Sequence, residues 1–267
     1  TLYGNYSGAL TIYNLPNALM AAITASVIPA VSGALTRRDL RGATRISCSA
    51  LRITALLACP MGIGLFVMGT PIMQMLYPAL EKDIAGPLLS MLGLANILVC
   101  LVLVCNSILQ AHGFVTLPVV VMVLGGGLKI AANYIVVAMP NVGIYGAPVG
   151  NLPCFGLCLL LDLVIVSRAV PTRPRYADVF AKPLLASVLM GGAAWAVYGL
   201  ASKVLSAAPE EGAEAVLSRS ANALCTLGAI GVAAAVYGVL VVALGAITRE
   251  DLSLMPKGDK IARLLRL

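Results

Sequence analysis

Charge is scarce in this chain. Only 11% of its 267 residues are Asp, Glu, Lys or Arg, against about 25% in an ordinary soluble domain. A fold with water on every side is therefore excluded. Histidine occurs once, at His112, and the apolar runs hold one carboxylate, Asp162, and no Glu. A membrane transferase or protease needs clustered carboxylates, histidines or an activated nucleophile, so the sequence points away from an enzyme. Aromatic residues make up only 5%, with a single Trp. The seven cysteines all lie in or beside apolar runs, which suits small buried side chains better than a disulfide framework. Cys154 and Cys158 share a helical face, but one His leaves a zinc site short of ligands. No metal and no cofactor is expected. His112, in "QAHG", reads as a local cap or hydrogen bonder rather than a base.

What fills the chain instead is hydrocarbon. Hydrophobic residues make up 60%, and the mean hydropathy is +0.96. Seven runs approach or exceed the roughly 20 residues that cross a bilayer: 3–35, 53–77, 84–111, 117–139, 142–166, 184–205 and 221–247. The expected fold class is all-α, a polytopic membrane helical bundle. Pro16 and Pro29 fall inside the first run, and Pro60 and Pro71 inside the second. Such breaks are tolerated where neighbours satisfy the freed carbonyls, and they mark places where a helix can bend.

The net charge is +7, but the basic residues fall between apolar spans rather than on one folded surface, so no nucleic-acid partner is expected. Arg37, Arg38, Arg41, Arg45 and Arg52 follow span one, and Arg168, Arg173, Arg175 and Lys182 follow span five. Arg249, Lys257, Lys260, Arg263 and Arg266 occupy the tail. The opposite side holds Lys82, Lys203 and Arg219. The positive-inside rule makes the first side cytoplasmic. Leu267 then lies inside and Thr1 outside, which predicts at least one earlier span. The tail "KGDKIARLLRL" either lies on the anionic inner leaflet or is a solvated basic tail.

Two charges sit at membrane depth. Lys129, in "GGGLKIAANY", is ~20 and ~15 Å from the two ends of its span, too deep to snorkel comfortably. Burial there costs ~2.5–3.5 kcal/mol on the translocon scale. Gly125, Gly126, Lys129 and Asn133 share one helical face, a recess with donors at its floor or a close packing seam. Asp162 is ~10 Å deep. It is a candidate partner for Lys129, at a mismatched depth, with Arg168 closer, and it is also a candidate ion-coupling group. Span one carries a stripe, Tyr6, Tyr13, Asn17 and Thr24, for a wet cavity or for bonding neighbouring helices. Span three adds Asn96, Asn106 and Gln110, the last two near the cytoplasmic mouth.

The run from "LYGNYSGALTIYNLPNALM" to "PIMQMLYP" resembles bacterial polysaccharide and lipid-linked oligosaccharide flippases of the MOP superfamily. The likeness is to the branch of stage V sporulation protein B and peptidoglycan-precursor flippases. "NSILQAHG", "LKIAANY", "GIYGAPVGN" and "ITREDLSLMPKGDKIARLLR" extend it to the C-terminus. The resemblance implies two six-helix lobes plus two extra helices, of which this chain matches helices eight to fourteen. Residues 1–170 would then be five helices of the C-terminal transport lobe, and residues 171–267 the two added helices with the basic tail. It also implies a bacterial cytoplasmic membrane protein whose lobes rock about a cavity for the headgroup. Its partners would be a lipid-linked saccharide, membrane lipids and a missing N-terminal lobe.

In that family the two added helices line a groove for the polyprenyl tail, which brings Trp195 and Tyr198 forward. Lipid II flippases carry an arginine shortly before the "LP"-like motif; aligned on Pro16, this chain has Thr11 there. Lys129 is the candidate replacement, facing the substrate pyrophosphate. The expected function is transport of an undecaprenyl-pyrophosphate-linked saccharide. The rival readings are a multidrug antiporter of the same superfamily and a non-transporting scaffold for cell-wall synthesis.

Overall fold

The computed structural model describes residues 2–139, 143–170, 176–205 and 219–245. Its long helices are α1 (Leu2–Thr36), α2 (Leu40–Leu76), α3 (Lys82–Ala111), α4 (Thr116–Val137), α6 (Asn151–Ala169), α7 (Tyr176–Leu205) and α8 (Arg219–Ala243), with a short α5 (Gly146–Val149) before α6. Seven segments are long and apolar enough to span a membrane, the fifth being Gly143–Ala169 with α5 and α6 in line. The all-α bundle read from the sequence is the fold observed.

One boundary differs from the expectation by several turns. Helix α2 begins at Leu40, so Arg41, Arg45 and Arg52 lie on a helix and not in a loop. Hydropathy could not find this start, because a helix projecting beyond the apolar zone is polar and remains a helix. Its cap is local. Arg38 takes a left-handed φ of 59°, and the Asp39 carboxylate accepts the Gly42 N–H at 2.8 Å, a strong N-cap. At the same end, α3 stops in a Schellman turn. Gly113 has φ 88°, and the Phe114 N–H reaches the Leu109 carbonyl at 3.0 Å. His112 is the cap residue, with Nδ1 2.9 Å from the Ile108 carbonyl, the local role its setting suggested.

Helices α2 and α3 form the centre of the bundle, each packed on several neighbours. Glycines bring the two backbones together. A Cβ at Gly93 would lie 2.8 Å from the Gly62 carbonyl oxygen and 2.8 Å from the Phe66 nitrogen. One at Gly69 would lie 2.9 Å from the Gly86 carbonyl oxygen. The pairs are two turns apart on both helices, the small-residue seam that lets helices associate in lipid, where water drives nothing. Helix α1 lies on α3, α6 packs on α3, α4 leans on α6, and α7 pairs with α8 against α2.

The ends alternate as the topology requires. Ser32 donates to the Ala111 carbonyl, and Val31, Ala34, Ala43, Ile108, Val166 and Val170 share one cluster. The α1–α2 turn with its arginines, the end of α3 and the end of α6 therefore meet at one end of the bundle. At the other, Asn5 Oδ1 accepts the Glu81 N–H at 3.2 Å, and Tyr145 Oη donates to the Asp83 carbonyl. The tail 246–267, with its basic residues, lies outside the described residues, as do Arg173 and Arg175.

Candidate functional site

Polar side chains from neighbouring helices bond backbone carbonyls at or near three of the helix prolines. Pro16 lacks the N–H that would bond the Ile12 carbonyl. On the adjacent Tyr13 carbonyl, Asn96 of α3 donates Nδ2 at 2.9 Å. Asn96 is fully buried, and Cys100, one turn on, donates to its Oδ1 at 3.1 Å. Asn17 adds a longer contact to Asn96 at 3.4 Å. In α2, Pro60 frees the Leu56 carbonyl four residues earlier, and Tyr237 of α8 donates to that oxygen at 2.6 Å. Near Pro71, Asn222 of α8 gives Nδ2 to the Pro71 carbonyl at 3.3 Å and accepts from Tyr198 of α7 at 2.8 Å.

These contacts decide where the proposed site residues point. Asn17 faces α3, its amide oxygen in contact with Asn96 and Cys100, so for it the neighbour-bonding alternative is the one observed. Tyr13 is buried in an apolar cluster and offers Asn96 only its backbone carbonyl. Tyr6 packs into the apolar cluster of Met73, Leu88 and Leu92. Thr24 bonds the Ala21 carbonyl of its own helix, and Thr11 that of Ser7. Along α4, Gly125 abuts Cys154 and Cys158 of α6, and the Asn133 amide abuts Gly150. The face predicted as a recess is the seam with α6 at these two positions. Gly126 has open space beside it. Lys129 lies between them, half-exposed, near the Cys154 thiol.

The pairing of Lys129 or Arg168 with Asp162 does not form. Asp162 is 0% exposed, and both carboxyl oxygens lack a hydrogen-bond partner. Arg168 points outward, exposed. The reason is geometric: six residues on an α-helix place Arg168 well away from the Asp162 direction.

Two hollows remain. One is an apolar cavity of about 490 Å³ between the α1–α2 pair and the α7–α8 pair. Its walls include Ile12, Leu15, Pro16, Leu56, Pro60, Met68, Met190, Ala194, Ala233 and Tyr237. Tyr198 packs beside it with Met68 and Met190. Trp195 is turned away, 72% exposed. The other hollow, of about 350 Å³, lies between α3 and α4 and is lined by Asn106, Gln110, Pro118, Val119, Met122 and Val123. Asn106 and Gln110 are thus brought together as the i, i+4 spacing predicts.

Sequence reasoning missed Tyr237 and Asn222. Each is a polar group in an apolar helix whose partner is a carbonyl on another helix, so nothing in the local pattern names that partner. A search for a donor to match the Pro60 break would have singled out Tyr237 as a candidate.

Comparison with known proteins follows the same lines. The family described as "Lipid II flippase MurJ" matches residues 3–208. An uncharacterized membrane protein of Bacillus subtilis (strain 168), YabM, is 24% identical over 265 residues, covering 99% of this chain and 47% of that protein. The chain thus spans about half the length of this curated relative. A solved structure, described as the inward-facing conformation of a multidrug resistance MATE family transporter of the MOP superfamily, superposes with a TM-score of 0.53. It is 18% identical, and the match covers 99% of this chain and 67% of that one. At that identity the likeness concerns the fold.

Proposed function

The chain belongs to the lipid II flippase (MurJ) family, and from that premise we propose that it serves to move an undecaprenyl-pyrophosphate-linked saccharide from the inner to the outer leaflet. The proposed setting is the bacterial cytoplasmic membrane, with the arginine-bearing end inside. A second lobe outside these residues would complete the alternating-access pair. Residues 1–170 would act as one lobe, and α7 and α8 as an added pair.

The observation that carries this reading is the apolar cavity between α1–α2 and α7–α8. Its wall residues are aliphatic apart from Tyr237, and they carry no charge. That chemistry suits an isoprenoid chain and gives a sugar or a free phosphate nothing to bond. Two of its walls, at Pro16 and Pro60, are the helix breaks described above. Tail occupancy and helix bending would therefore meet at one place. The headgroup belongs elsewhere, and Lys129 is its proposed contact. A pyrophosphate present for part of the cycle would offset the cost of a lysine at that depth.

The test is the amount of lipid-linked precursor reaching the outer leaflet, in variants checked for normal membrane abundance. Ala194→Trp and Ala233→Trp would fill the cavity and should abolish flipping. Normal flipping with the cavity filled would remove the tail site and the argument built on it. Lys129→Met tests the headgroup contact separately. Unchanged flipping in that variant would make Lys129 structural.

A further inference from the structure

Three acceptor oxygens near the arginine-bearing end lack a donor among the described residues. Two belong to Asp162 and the third is Oδ1 of Asn106. Helices α3 and α6 run in the same direction, since both finish at that end. Val102 of α3 and Cys158 of α6 pack together in one cluster. One turn further along each helix come Asn106 and Asp162, so the two residues stand at the same level. The thiols of Cys105 on α3 and Cys158 on its own helix lie close enough to feel the Asp162 carboxyl. Of the neighbouring cations, Arg168 is exposed, and Lys129 on α4 lies beside Cys154, eight residues or ~12 Å up α6 from Asp162.

An unpaired ionised carboxylate in such surroundings is very costly, and it is neutralised or paired instead. A hard metal cation takes about six or more oxygen ligands, and the three orphan oxygens of Asp162 and Asn106 fall short of that shell. A proton needs no further ligand. The hollow of about 350 Å³ that Asn106 and Gln110 line is roomy enough for several waters, each occupying ~30 Å³, and it brings them to Asn106, the residue level with Asp162. Gln110, one turn beyond Asn106, is exposed at its mouth. We propose that Asp162 is a proton-binding site, loaded from the arginine-bearing end of the bundle through the Asn106–Gln110 hollow. The site stands on this geometry alone; only its use, as the coupling ion of a lipid flippase, rests on the function proposed above.

The experiment is infrared spectroscopy of the purified protein in liposomes without lipid-linked substrate. A carboxylic-acid C=O band should be present at neutral pH, disappear reversibly at alkaline pH, and be lost in Asp162→Asn. Asp162→Glu, which should shift the band without removing it, serves if the Asn variant does not accumulate. Absence of any such band in the wild-type protein at neutral and acidic pH would overturn the site. In deuterated buffer the band should shift, and Asn106→Leu combined with Gln110→Leu should slow that shift while keeping the band. An unchanged exchange rate would overturn the entry route. A protein that shows the band but flips no lipid-linked saccharide would keep the proton site and lose the proposed cargo. The reverse result would remove the site and leave the cargo.

Discussion

Tyr237 of α8 donates its hydroxyl to the Leu56 carbonyl of α2 at 2.6 Å, the oxygen that Pro60 leaves without its helical donor. The bond ties α8 to α2 at the Pro60 break. Tyr237→Phe keeps the ring and removes only the donor. Polar contacts between membrane helices average ~0.6 kcal/mol with a maximum near ~1.7, and this one should fall in the upper half. Equilibrium unfolding in mixed micelles measures it, and a change indistinguishable from zero would mean that water or lipid headgroups serve the carbonyl instead.

Asn96 should behave in the same way for α1. It is buried at the Pro16 break and donates to the Tyr13 carbonyl. Asn96→Leu is expected to lower stability by about 1 kcal/mol, read from the unfolding midpoint. It should also raise proteolytic nicking of α1 near Pro16. A variant with wild-type stability and the same nicking would show that Asn96 does not hold the break.

The α2–α3 seam makes a sharper forecast. Gly93→Ala sets a methyl against two backbone atoms, each 2.8 Å away, and backbone cannot swing aside as a side chain can. A cost of roughly 1–3 kcal/mol is expected from such overpacking. Gly192→Ala, with nothing near its Cβ, should be neutral or slightly stabilising. Thermal melts of the two proteins side by side decide it, and equal melting temperatures would contradict the seam.

Adjacent glycines on α4 divide likewise. Gly125→Leu collides with Cys154 and Cys158 of α6, whereas Gly126→Leu enters open space. The first should weaken the α4–α6 contact, visible as greater thiol-reagent labelling of Cys158, which is fully buried in the native chain. The second should leave labelling unchanged while remaining free to affect transport. Equal labelling in both variants would place the α4–α6 contact on another face.

The residues show why some of this was legible beforehand. The spans were plain because hydrocarbon length is a local property, readable from runs such as 84–111 without knowing any neighbour. His112 and Gly113 announced the end of α3 for a similar reason, since a Schellman turn needs only its own few residues. The start of α2 was not visible, because Arg41 and Arg45 suit a helix emerging from lipid as well as a loop. Asp162 stands out in the sequence as the one carboxylate in the apolar runs, but the pairs it suggests, with Lys129 at a mismatched depth or with the nearer Arg168, are not formed. Its orientation toward α3 depends on how α6 rotates against two other helices.

The sequence alone determined that the chain spans a membrane as helices, which segments do so, and that most of its arginines fall on one side of those spans. Those follow from one-dimensional facts, the length of apolar runs and the placement of charge between them. Only the tertiary structure decided that Asn17 bonds α3 rather than lining an open cavity, that Gly125 presses on α6 and Asn133 on Gly150 just before it, and that Tyr237 meets the Pro60 break. In lipid, a polar group gains most from whichever neighbour brings a matching donor or acceptor within reach. Helix rotation and crossing set that reach, and they arise from packing many side chains at once rather than from any local stretch.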